Sequence, residues 1–239
     1  MGAQIIEKLL KGNSYPGRGI ILGLAPDAQT SVLAYFIMGR STNSRNRVFV
    51  GTEDGIKTQA FDPSMMSDPS LIIYHPVREL DGLTIVTNGD QTDTVRDHLV
   101  SGGTFESALR TREFEPDPPN YTPRISGLLS TDGSYRLSIL KSLDGDPSCC
   151  CRYFYEYDRP IAGTGHFIHT YVGDGNPLPS FIGDPEKVLI PCSDAHELAD
   201  LIWDGLNGDN KVSLYVRTSR RGSGAKEEVI INANEAGRQ

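Results

Sequence analysis

Apolar and polar positions along this chain repeat with two different periods. Over 1–11, Ile5, Ile6, Leu9 and Leu10 recur at helical spacing and predict a helix. Short β-rich runs then follow at 19–24, 31–38, 47–51, 57–61, 71–74 and 83–87, each bounded by Pro, Gly, Asn or Asp. That punctuation predicts antiparallel hairpins. Two helices are predicted at 92–101 and 104–112, the second opened by Thr104 as its N-cap and the first capped through Thr92 or Asp93. After the proline-rich EPDPPNYTP, strands resume at 124–130, 135–141, 150–157 and 165–172. A helix at 194–206, with Leu198, Leu201, Ile202 and Leu206 on one face, precedes strands at 211–218 and 227–232. The strands come in runs rather than alternating with helices, so about twelve strands and about four helices predict an α+β fold of two packed antiparallel sheets with helices outside.

Composition narrows the function classes. A chain of 239 residues, 38% hydrophobic and 23% charged, can bury a substantial core as one globular domain or two fused halves. No apolar run approaches the roughly 20 residues that cross a bilayer, and the first residues lack a signal peptide's apolar block. A soluble, cytoplasmic protein is expected. Three of the four cysteines are consecutive, Cys149 to Cys151, which argues for reduced thiols rather than a disulfide framework. The net charge of −8 opposes nucleic-acid binding, which needs a broad basic face. A small anion needs only a local cluster, and GRSTNSRNR supplies one with Arg40, Arg45 and Arg47 around Ser41. A solvated basic loop is the plainer reading of the same run.

Several motifs fall short of known chemistry. His166 and His169 in GHFIHTY are three apart on a predicted strand, so they face opposite ways and cannot share a metal. PGRGIILG and RRGSGAK match neither nucleotide fingerprint: the first opens a strand, and Lys226 in the second is followed by Glu227. No G-x-S-x-G elbow is present, and removal of Met1 would expose Gly2, which is no nucleophile. What remains is a set of polar residues at element ends: the arginine loop, Tyr74 in LIIYHPVR, the cluster from Asn88 to Asp93 in TIVTNGDQTDTVRD, Glu115, and Arg124. Singly, each reads as core, turn or cap.

Together they resemble the archaeal-type IMP cyclohydrolase family. The resemblance rests on GRGIILGLAPDAQTSVLAYFIMGRSTNSRNR, IIYHPVR, TIVTNGDQTDTVRD and FEPDPPNYTPRISG, over roughly residues 17 to 130, in the family's order. It implies a single domain over 1–239, folded as a four-layer α-β-β-α sandwich like that of N-terminal nucleophile hydrolases without their nucleophile. It implies cofactor-free, metal-free closure of a formylated aminoimidazole carboxamide ribotide to IMP, by a symmetric homo-oligomer that binds neither nucleic acid nor membrane. Carried over by position, the catalytic arginine falls in NSRNR, on Arg45 with Arg47 as the alternative, the tyrosine on Tyr74 and the glutamate on Glu115. Asn88, Gly89, Thr92 and Asp93 would line the substrate pocket with Ser41, and Arg40 or Arg124 would meet the phosphate. A non-catalytic purine-ribotide binding protein, or an amidohydrolase sharing the sandwich, are the alternatives.

Overall fold

The computed structural model describes residues 2–65 and 72–234. In chain order its elements are β1 (Gln4–Ile5), α1 (Ile6–Gly12), β2 (Arg18–Leu24), β3 (Thr30–Met38), α2 (Thr42–Arg45), β4 (Arg47–Thr52) and β5 (Gly55–Ala60). Next come β6 (Val77–Leu80), β7 (Leu83–Thr87), α3 (Gln91–Val100), α4 (Phe105–Leu109), β8 (Arg124–Leu129), β9 (Tyr135–Leu143) and β10 (Asp146–Tyr157). The last are β11 (Thr164–His169), β12 (Glu186–Leu189), α5 (Ala195–Gly205), β13 (Lys211–Arg220) and β14 (Lys226–Asn232).

These strands form two seven-stranded sheets. The second sheet, ordered β10-β9-β8-β7-β6-β5-β4, is a meander in which every strand pairs antiparallel with its neighbour in sequence. Its tight turns follow from local chemistry. Asp81-Gly82 and Asp144-Gly145 each place both residues at positive φ, 48° and 81° in the first and 52° and 82° in the second. That is the two-residue hairpin geometry that Asp-Gly favours because its twist matches the strands. The first sheet, β1-β12-β11-β2-β3-β13-β14, is antiparallel except for β1 against β12.

Continuous apolar runs in the sequence become strands covered on both faces. Along β3 every residue is buried: Val32, Ala34, Phe36 and Met38 pack with Ile6 and Leu10 of α1 and Leu198 and Ile202 of α5, whereas Leu33, Tyr35 and Ile37 face the second sheet. Val77, Val86, Ile125, Leu137 and Ile139 meet them from that sheet. On its other side Ile85, Leu128 and Leu140 pack with Val95 of α3 and Phe105, Ala108 and Leu109 of α4. Each Val, Leu, Ile, Phe or Met side chain among them contributes roughly 1.5–3 kcal/mol on full burial.

Differences from the sequence reading are local. Gln4 and Ile5 pair with Val188 and Leu189, which delays the first helix to Ile6. The expected strand over 71–74 begins at Leu71, outside the described residues, and Ile72 to Tyr74 form no strand. Thr58 occupies that segment's hydrogen bonds instead, its N–H donating to the Tyr74 carbonyl at 2.9 Å and its Oγ1 accepting from the Tyr74 N–H at 2.9 Å. The short strands β6 and β12 had no distinct periodicity to announce them. Thr104 caps α4 as expected, accepting from the Ser107 N–H at 3.0 Å. Neither Thr92 nor Asp93 caps α3, because the helix starts at Gln91, before either could be the N-cap. All four cysteines are free thiols. His166 and His169 lie on opposite faces of β11: His166 stacks on Tyr157 between the sheets, and His169 packs on Phe167 and reaches Glu186. Among the described residues no helix is long and apolar enough to cross a membrane.

Candidate active site

Where β2 and β4 begin and β7 ends, the two sheets bring their polar residues together. Arg47 is the first residue of β4 and runs directly into Val48 and Phe49, so the strand's own burial carries its side chain inside, with 0% exposure. Its Nε donates to the Ser44 carbonyl at 2.8 Å, while Nη1 and Nη2 are buried with no hydrogen-bond partner. Arg18 opens β2 in the same way from the facing sheet, and its Nε is also buried without a partner. Tyr74 shares a 2.8 Å hydrogen bond with the hydroxyl of Tyr35, which projects from the middle of β3. One buried cation, one half-buried cation and two buried phenols therefore converge at one point.

Glu115 completes the cluster from the segment between α4 and β8. Its N–H donates to the Thr122 carbonyl at 2.9 Å, and Asp117 accepts from both the N–H and the hydroxyl of Thr122. The Tyr171 hydroxyl sits 2.6 Å from the Thr122 oxygen. These bonds hold the segment while the Glu115 carboxylate, in a residue 2% exposed, makes no direct hydrogen bond or ion pair among the described residues. Gly89 allows the close approach: a Cβ there would fall 2.6 Å from Arg124 Nη1 and 3.5 Å from Glu115 Oε1.

The electrostatics follow from this burial. Desolvation pushes the Glu115 carboxyl above the usual carboxylate range, with Asp117 adding to the shift and Arg18, Arg124 and Arg47 opposing it. Burial likewise raises the Tyr74 phenol against the pull of Arg47 and Arg18, so Tyr74 keeps its proton at neutral pH. Desolvation depresses Arg47, and the neighbouring Arg18 charge depresses it further. Burial works against the Arg18 charge too, yet Glu115 and the surrounding tyrosines outweigh it and raise its pKa. The arrangement offers a carboxyl able to exchange a proton, a phenol able to donate one, and guanidinium donors with unused capacity.

A stability test follows from the Glu115 shift. The folded protein binds this proton more tightly than the unfolded chain, so the contribution is favourable at low pH and is lost as pH rises from the ordinary glutamate value of about 4.3 through the raised one. Glu115→Gln is expected to gain stability relative to wild type between about pH 4 and about pH 8 in parallel denaturant titrations. A difference that stays constant with pH would contradict the buried, proton-binding carboxyl.

The remaining sequence-predicted residues take other places. Arg45 lies on the exposed end of α2, its guanidinium donating to the Asp209 carbonyl, and so is not brought to the cluster. Ser41 caps α2, accepting from the Ser44 N–H at 3.1 Å. Arg40 is exposed, paired with Asp174 and lying 5.1 Å above the ring of Tyr15. Tyr15 stacks on Tyr171 at 6.0 Å, which places Arg40 at the rim of the site. Arg124, the first residue of β8, is 5% exposed, its Nη1 held by Asp90 at 2.7 Å and by Gln91 at 2.6 Å. Asn88 is a clamp: Nδ2 donates to the Pro123 carbonyl at 2.9 Å, and Oδ1 accepts from the Ile125 N–H at 2.8 Å and from Gln91 at 3.0 Å. Thr92 bonds Thr87 at 2.6 Å beneath the cluster, and Asp93 points to Arg78 at 2.8 Å, away from it.

Arg18 and Tyr35 were missed in the sequence. The available signal was a charged residue opening an apolar strand in PGRGIILG, and a lone phenol within SVLAYFIM. Two cavities among the described residues lie elsewhere, one of about 300 Å³ at the other end of the sheets and one of about 390 Å³ beside α1.

Residues 15–223 match a family model described as IMP cyclohydrolase-like protein. The chain is 30% identical over 196 residues to an IMP cyclohydrolase of Methanosphaera stadtmanae, covering 80% of this chain and 86% of that protein. It is 35% identical over 123 residues to an IMP cyclohydrolase of Methanopyrus kandleri, covering 50% of this chain and 59% of that protein.

Proposed function

The chain belongs to the IMP cyclohydrolase-like family, and from that membership and the buried cluster we infer that it catalyses ring closure of the formylated aminoimidazole carboxamide ribotide to IMP. The observation that carries the mechanism is the convergence of Arg47, Tyr74 and Glu115, with unpartnered Arg47 nitrogens beside a carboxyl of raised pKa.

The reaction joins a poor nucleophile to a poor electrophile. The carboxamide nitrogen adds to the formyl carbon and gives up a proton. The hydroxyl so formed then takes a proton and leaves as water, while the former formamide nitrogen gives up its own and a C=N bond forms. The reacting groups sit on adjacent ring positions, so fixing the rotamer that joins them removes much of the entropic barrier. In this reading Glu115 takes the proton from nitrogen and returns it to the leaving hydroxyl, a role suited to a carboxyl raised toward neutrality. Tyr74, anchored by Tyr35, gives its proton to the formyl oxygen as the hydroxyl forms and recovers one from the former formamide nitrogen as the C=N bond forms. Arg47 Nη1 and Nη2 stabilise charge on the formyl oxygen, where buried donors free of other partners act most strongly. Arg18 balances the Glu115 charge from the facing sheet.

Arg47 replaces Arg45 in this assignment because the exposed guanidinium of Arg45 cannot reach a buried carbonyl from its bond to Asp209. Arg40 is the better phosphate partner, since exposed Asp174 can yield to an anion, whereas Arg124 is fixed by Asp90 and Gln91. The three separate core clusters support a single-domain, four-layer α-β-β-α sandwich of the N-terminal nucleophile hydrolase type. The test of the activity is turnover: purified chain with the formylated ribotide and a chelator is expected to form IMP. Formation no faster than in protein-free buffer would refute it.

A further inference from the structure

At the opposite end of the same two sheets, the cavity of about 300 Å³ is lined by four cations and a single carboxylate. In a chain of net charge −8 this is a local reversal of sign. Arg217 forms its floor, 2% exposed, with Nη1 donating to Glu79 at 2.5 Å and Nη2 to the Thr84 hydroxyl, while Nε is buried and unpartnered. Glu79 is shared with Lys226, so one carboxylate offsets two cations there.

The rim is the turn between β13 and β14. Gly222 and Gly224, at φ 76° and 68°, turn the chain sharply and leave Arg220 and Arg221 beside the opening. Neither arginine makes an ion pair among the described residues. The acids nearest to them in effect are occupied by their own turns: Asp27 accepts from the Gln29 and Thr30 N–H groups at 2.9 Å, and Asp132 from the Ser134 N–H at 2.9 Å. Two hydroxyls that line the same cavity, Ser31 Oγ and Ser219 Oγ, are buried with no partner. A Cβ on Gly133 would lie 3.2 Å from Arg221 Nε and 3.3 Å from Ser31 Oγ, so donor and hydroxyl are neighbours. Buried polar groups left unpaired are costly unless a ligand or water satisfies them.

We propose that this cavity binds the phosphoryl dianion of a small molecule, held by Arg220, Arg221 and the buried Ser31 hydroxyl. Guanidinium forks and hydroxyls are the donors such a dianion takes. Leu83 and Leu129 line the remaining wall and offer an apolar surface to an organic body. Ser31 and Tyr35 lie on one strand four residues apart, about 13 Å at ~3.3 Å per residue, so this site is separate from the cluster around Tyr74.

Calorimetric titration of the full chain with inorganic phosphate, with ribose 5-phosphate and with ribose tests the proposal without using turnover. Wild type is expected to bind phosphate or ribose 5-phosphate saturably and ribose not at all. Equal affinity for the two anions assigns free phosphate; tighter ribose 5-phosphate assigns a monoester resting on Leu83 and Leu129, and both support the site. Arg220→Ala/Arg221→Ala is expected to lose one binding event or weaken it by about tenfold or more. Arg220→Glu, a single exposed substitution, is expected to act the same way in a chain that melts as wild type does. An isotherm unchanged by both variants, the absence of saturable binding in wild type, or equal binding of ribose would overturn the proposal.

Discussion

Glu115→Gln is expected to lower kcat by about 10²-fold or more, the usual contribution of a positioned acid–base group, while KM changes little. The amide keeps the shape of the side chain and the backbone bond to Thr122 but can neither accept nor return a proton. Its pH profile should also lose the acid limb expected of wild type. That limb is expected above the ordinary glutamate range, because desolvation raises the Glu115 carboxyl against the pull of Arg18 and Arg124. A variant of near wild-type rate, or one that retains the limb, would remove Glu115 from the proton transfers.

Arg47→Ala is expected to cost about 10²–10³ in kcat, the scale measured for removing a donor to a developing oxyanion. Arg45→Ala, two residues away on the surface, is expected to stay within about threefold of wild type, because exposed substitutions away from special contacts change little. Arg47→Lys should not rescue the loss, since one ammonium cannot reproduce the two Nη donors. Stability separates this from a folding defect. Arg47→Ala loses the Nε bond to the Ser44 carbonyl and leaves a cavity, but it also removes a fully buried cation whose Nη1 and Nη2 have no partner. The alanine variant should therefore remain folded at the assay temperature, as a melting curve checks, while losing most of its activity. A large loss in Arg45→Ala with Arg47→Ala unaffected would reverse the assignment.

How far the sequence could be read depended on whether a feature was local. Hairpin signals such as Asp81-Gly82 act over a few residues, so the meander from β4 to β10 was largely visible. The apolar run of β3 was legible as a strand, and its two faces are covered by α1 and α5 on one side and by the second sheet on the other. The pairing of β1 with β12 joins residues over 180 positions apart and left no local trace. The site shows the same division. Tyr74, Glu115 and the arginine loop stood out as polar residues at element ends, and the family resemblance ordered them. Choosing between Arg45 and Arg47 needed the strand, because only the residue that enters β4 is carried inside by Val48 and Phe49. Arg18 and Tyr35 were hidden because each belongs to an apolar strand, and only the packing of one sheet on the other brings them to Tyr74 and Glu115.

Taken singly Asn88 reads as a turn residue, and only its position in the family pattern put it on the pocket wall; in the structure its amide bonds the backbone of Pro123 and Ile125 and Gln91. Its work is to hold β7 against the start of β8, which fixes Gly89 and Arg124 beside Glu115.

The most direct measurement is the position of IMP in the structure of its complex with this chain. The account predicts the purine ring between the sheets, within hydrogen-bond distance of Tyr74 and Glu115 and in reach of the Arg47 Nη nitrogens, with the phosphate toward Arg40. IMP bound only in the Arg217 cavity, or anywhere out of reach of Tyr74, Glu115 and Arg47, would contradict it.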